Sequence, residues 1–296
     1  MSSQSDLNKL MTEISDEYLK LNEKQQRRAI RELKRINGDM ADLLADFVGS
    51  DGTIQKRRLS RLLREMDAVK RGYHNQARAV LGDIITESTE WTRREINGAL
   101  ITVLGAAAIS LAESRRLNRR IERKVWTRKG DDLLNLSDRV WNLANGTHEE
   151  LTRVVRQSIN HGESINEMMA KIRQTHANET WKIRRLAWTE GVTAHRTATG
   201  ENAKHGGIKY VKLIDGSCRN KNHYQHRCYI LANEDKYGKG MGIYKTTDEE
   251  IYSPHPQCTS YIEYVLDEEV LRGAKERGYR NDKTNATRNY WQPNGA

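Results

Sequence analysis

The sequence predicts a mainly α-helical protein: long N-terminal helices followed by a small α+β module with a short sheet and Cys/His-bearing loops. Three observations lead there. No proline precedes Asp215, while Leu, Glu, Arg and Lys, all good helix formers, are abundant. Apolar residues recur at three- and four-residue steps, as in Leu7, Leu10, Ile14, Tyr18 and Leu21, and in Leu59, Leu62, Leu63, Met66 and Val69. After Gly206-Gly207 the texture turns β-branched and aromatic, then rich in Gly and Pro.

Taken in order, Asn37-Gly38 and Gly49-Ser50-Asp51-Gly52 are expected breaks between helices. Thr147 with Glu150, and Ser164 with Glu167, each have the spacing of a capping box, in which hydroxyl and carboxylate satisfy orphan amide donors. His161-Gly162 should end the helix between them. The apolar stripes behind these starts predict two helices packed into a core, not a groove-reading helix–turn–helix. Ile208–Ile214 and Tyr261–Leu266 are expected strands, residues 267–278 a helix, and Asn281–Ala296 a polar tail. The resulting domains are a helical, basic region over 1–146, a compact module over 147–280 and the tail over 281–296.

Composition narrows the function. Phe47 is the sole phenylalanine and the hydrophobic fraction is 36%, so the core should be modest and the helical layers thin. The net charge of +10 is concentrated, since residues 51–130 hold 18 Lys and Arg against 9 Asp and Glu. Such clustering favours an acidic partner, double-stranded DNA bound without sequence preference. Arg115, Arg116, Arg119, Arg120 and Arg123 are the expected phosphate contacts; the alternative is the solvated face of a structural helix.

Residues 96–112, INGALITVLGAAAISLA, carry no charge. A spanning helix wants about 20 apolar residues. The run's small side chains suit close helix–helix approach, so burial is favoured over membrane contact. The N-terminal stretch lacks the apolar region of a secretory signal, so reduced thiols are expected. Cys218, Cys228, His255 and Cys258, with His223 or His226 as alternates, supply enough thiolate and imidazole for one tetrahedral structural zinc. The other reading is three buried thiols beside histidines that only hydrogen-bond.

Three pieces follow one another in the C-terminal half: a helix with Arg184-Arg185-Leu186-Ala187-Trp188-Thr189-Glu190, a strand ending at Asp215-Gly216 before Cys218, and Pro254-His255-Pro256-Gln257-Cys258 leading into a strand. Over roughly residues 147–266 this order resembles the head-morphogenesis domain of phage Mu F-like and SPP1-like minor head proteins. The pairing of Cys218 with Cys228 is more widely spaced than in that family, and Thr259 stands where a basic residue is common. The resemblance implies structural roles for Arg185, Thr189, Glu190, Asp215 and Pro256. It further implies a non-enzymatic virion protein, at the capsid interior or portal vertex, assembled in the host cytoplasm. Its partners would be the portal and other head proteins, and its work head assembly, DNA packaging or ejection. The alternatives are a metal-dependent nuclease and a non-phage helical nucleic-acid-binding protein.

Overall fold

A computed structural model describes residues 3–104, 111–130, 132–216 and 226–267. They form α1 (Ser3–Leu33), α2 (Ile36–Ala45), α3 (Leu59–Leu104), α4 (Leu111–Thr127), α5 (Leu136–His161), α6 (Ile165–His205) and α7 (Arg227–Ala232). Strands β1 (Tyr210–Ile214), β2 (Ile243–Lys245) and β3 (Tyr261–Val265) make one antiparallel sheet in the order β2-β1-β3. The class is the one the sequence predicts, mainly helical with a small sheet. The helix expected over 267–278, beyond Asp267, and the tail over 281–296 lie outside the described residues.

Helix boundaries follow the local chemistry unevenly. At the start of α6, Ser164 N donates to Glu167 Oε2 at 2.8 Å and Glu167 N donates to Ser164 Oγ at 3.3 Å, as a capping box requires. Gly162, at φ +70°, caps α5 in the left-handed conformation. Thr147, by contrast, opens no helix. It lies inside α5 and its hydroxyl donates to Leu143 O at 2.9 Å. The box that starts α5 is Asn135 with Asp138. Asn37-Gly38 also falls inside a helix; the interruption is at Lys34-Arg35, and Arg35 keeps helical angles.

Two compact units emerge, each assembled from separate stretches of chain. The first takes its described residues from 1–23, 85–126 and 189–296, the second from 24–84 and 127–188. In the second unit, Leu136, Val140, Leu151 and Val155 line the buried face of α5, and Met168, Met169 and Ile172 that of α6. A single antiparallel bridge, Thr53 with Ser164, ties the turn after Gly49 to the start of α6.

The first unit contains the sheet. Its core joins Leu7 and Met11 of α1, Ile96, Ala99 and Leu100 of α3, Val211 and Leu213 of β1, and Tyr244, Ile262 and Tyr264 of β2 and β3. Each fully buried Leu, Ile, Val or Met side chain among them contributes roughly 1.5–3 kcal/mol. Gln4 extends α1's hold by donating to Tyr264 O and accepting from Leu266 N, both at 2.7 Å. The sheet module thus draws its core from well outside 147–280. The described part of the uncharged run, Ile96 to Leu104, belongs to α3 and contributes to this core; residues 105–110 lie outside the described residues. Among the described residues no helix is long and apolar enough to cross a membrane.

Tyrosine does the work that phenylalanine usually does. Tyr244, Tyr252 and Tyr264 are buried, and their hydroxyls donate to Leu231 O, Thr246 O and Thr199 O at 2.9, 2.8 and 2.7 Å. Tyr252 packs directly on Gly200 of α6: a Cβ there would stand 2.2 Å from its ring. Gly200→Ala should therefore cost at least 2 kcal/mol, at the severe end of overpacking, because a ring bonded through its hydroxyl has little room to retreat. Urea unfolding of the two proteins checks this.

Candidate metal centre

The His255–Cys258 segment folds as a tight turn in which Cys258 N donates to His255 O at 3.2 Å. Proline at the second position presets φ, and Gln257 at the third takes φ +59°, the pattern of a type II turn. A non-glycine residue there costs about 1 kcal/mol. In return His255 and Cys258 sit on one short loop. Cys228 arrives from the other side, near the start of α7, and is 1% exposed; Cys258 is 0% exposed.

The donor atoms of Cys228, His255 and Cys258 all lie within 4.8 Å of one another, close enough to hold a metal ion. The imidazole is oriented for it. His255 Nδ1 lies 3.0 Å from Pro256 O, which, as a carbonyl, must accept; the proton therefore sits on Nδ1. Nε2 is then left as a lone pair, buried and without a hydrogen-bond partner among the described residues. Metal sites commonly fix one ring nitrogen on a carbonyl so that the other can meet an ion.

Beneath the sulfurs lies Arg196 of α6, with 0% exposure. Its Nη2 donates to Cys258 Sγ at 3.0 Å and Ser260 O at 2.8 Å, and Nε to Ser260 O at 3.2 Å. Nη1 donates to Cys228 Sγ at 3.5 Å and Ile251 O at 3.3 Å. Burial alone would lower its pKa, but the two sulfurs more than offset that, so the guanidinium stays charged. Hydrogen bonding from Cys228, then the Arg196 charge and Ser260, outweigh burial and bring Cys258 down to about 6. Cys228, the donor in that bond and buried as well, is pushed up to about 12. One sulfur is thus a thiolate at neutral pH. Its neighbour Ser260 places Oγ 3.3 Å from Cys258 Sγ and 3.4 Å from Asp215 Oδ1, which links the end of β1 to the site.

Of the four ligands expected from sequence, three converge. Cys218, and the alternate His223, lie outside the described residues. The other alternate, His226, is a neighbour of the group, its ring centroid 4.4 Å from that of His255. Arg184 and Arg185 are exposed on α6, Thr189 is half-buried, Glu190 is buried, and Pro256 is exposed at the turn. Sequence reasoning missed Arg196 and Ser260. A usable signal for Arg196 existed: it is the one full charge in Val192–Thr199, a run of small and apolar residues in which His195 is the other titratable group.

The basic helix is amphipathic. Leu117, Ile121 and Val125 of α4 are buried, while Arg115, Arg116, Arg119, Arg120 and Arg123 are exposed. Arg120 and Lys124 bond to the buried Glu201 carboxylate, and Lys204 lies 3.2 Å from it. Arg115, Arg116 and Arg119 form no salt bridge among the described residues, so their charge faces solvent. No family model, curated protein or solved structure matches this chain.

Proposed function

We propose that this chain is a minor head protein of a tailed phage, held at the portal vertex or capsid interior and acting in head assembly, DNA packaging or ejection. The observation that carries the reading is the way the ordered pieces of the C-terminal half close on one site. Helix α6, the end of β1, the His255–Cys258 turn and the start of β3 meet around Arg196 and Cys258. A head-morphogenesis domain in which those pieces were a structural unit would bring them together in this way.

The role is structural and not enzymatic. Two thiols and an imidazole, clamped by an arginine, supply three of the four donors of a structural zinc site that would brace a loop-rich module. Bound there, the ion would add crosslinks between α7 and the turn before β3. A nuclease, the second reading, would want carboxylate donors, and none is among the three residues of this group. The exposed arginines of α4 would meet the phosphates of packaged duplex.

Mixing the purified chain with the portal protein of the same phage tests the assignment. On gel filtration the two should migrate as one stable complex at micromolar concentration. Separate elution would leave a helical DNA-binding protein with no place in a head.

A further inference from the structure

Arg196 clamps the two sulfurs, and its own charge calls for compensation. A guanidinium excluded from water is expensive unless an anion and full hydrogen bonding compensate it. Every polar contact of Arg196 is known: Ser260 O twice, Ile251 O once, and the sulfurs of Cys228 and Cys258 once each. No carboxylate is among them. The carbonyls fix the plane of the fork but are neutral, so the compensating negative charge must reside on sulfur. The same two sulfurs belong to the three-residue group whose third member, His255, presents a buried lone pair. Arginine on one side and an ion on the other would share them.

Resting on the metal reading above, we propose that Arg196 is the outer-sphere cation of this centre, a positioning residue whose N–H groups fix both sulfurs and withdraw charge from them when a metal is bound. The chemistry expected of it is specific. A hydrogen bond to a metal-bound thiolate lowers the energy of the sulfur lone pair, so charge transfer from sulfur to metal needs more energy. It also pre-sets the sulfur positions, so the metal meets an assembled site. Loss of an outer-shell partner of this kind typically weakens metal binding 10–100-fold.

The test replaces the native ion by Co(II), whose thiolate-to-metal absorption reports sulfur energy directly. Full-length wild type, Arg196→Lys and Arg196→Met are titrated with Co(II) against a chromophoric chelator, then read at saturation. Arg196→Met is expected to bind at least tenfold more weakly and, once saturated, to show its charge-transfer band at longer wavelength. Arg196→Lys, which keeps the charge and one donor direction, should lie between. If Arg196→Met fails to fold, the lysine variant carries the comparison. A residue that merely filled space would weaken binding through instability but leave the saturated band in place, and that result overturns the proposal while the metal reading stands. If wild type takes up no Co(II), both fall.

Discussion

Replacing Arg115, Arg116, Arg119, Arg120 and Arg123 together by glutamine is expected to weaken duplex binding by at least tenfold at moderate salt, equally on every sequence. Each phosphate neutralised contributes a slope of about −0.9 to log K against log salt. Glu201 already engages Arg120, and Arg123 also interacts within the protein, so Arg115, Arg116 and Arg119 remain as full contributors. The slope should therefore flatten by roughly 2.7, a difference of about fortyfold in affinity between 50 and 200 mM salt. Fluorescence anisotropy with a random-sequence duplex measures both quantities. A variant with wild-type affinity and slope would return α4 to the status of a solvated structural helix.

The second large effect concerns the metal. Protein purified without added metal should carry about one zinc per chain by elemental analysis. Cys258→Ser should lose it and melt roughly 5–8 °C lower, the shift that 3–5 kcal/mol produces in a chain of this size. The loss should fall short of the complete unfolding seen in zinc fingers, because the sheet core holds independently through Leu7, Tyr244 and Tyr264. The pH dependence has a definite sign. Cys258 is depressed to about 6, so its thiolate is present above that pH and protons displace the ion as pH falls through it. Zinc affinity should fall as pH falls, because Cys228 must give up its proton, and more steeply below 6, where Cys258 must do so as well. A protein that folds fully, stays metal-free and ignores chelators would make the thiols ordinary core residues.

Much of the architecture was legible because helix signals are local. Ser164 and Glu167 announce α6 by their own hydrogen bonds, and alternation of β-branched residues announces β1. Where the reading slipped, the deciding partner was tertiary or the local motif was ambiguous. Thr147 and Glu150 have capping-box spacing, yet the helix had already begun at Leu136, and nothing at 147 interrupts it. Strand β2 is three residues long and exists only because Tyr210, Val211 and Lys212 offer it a register. At the site, three of the ligands share a recognisable alphabet, Cys and His, so they could be gathered from sequence alone. Arg196 lies 62 residues from Cys258, and only the folded path of α6 brings the two together. The turn at Gln257 hid for another reason: glutamine is not the residue type that flags a positive φ.

The interleaving of α1 with the sheet also sets when this protein becomes itself. Gln4 reaches its partner Tyr264 across 260 residues of chain, and Leu7 and Met11 share a core with strands made long after them. At ribosomal speeds of about 5–20 residues per second, α1 is made on the order of tens of seconds before β3 exists. During that interval Leu7 and Met11 have no strand to cover them. Contacts of such range form late and slowly, so α1 cannot be covered before β3 has been made. A chain arrested before Tyr261 would display α1 as a sticky amphipathic helix, an invitation to chaperones while synthesis continues and to aggregation where it stops.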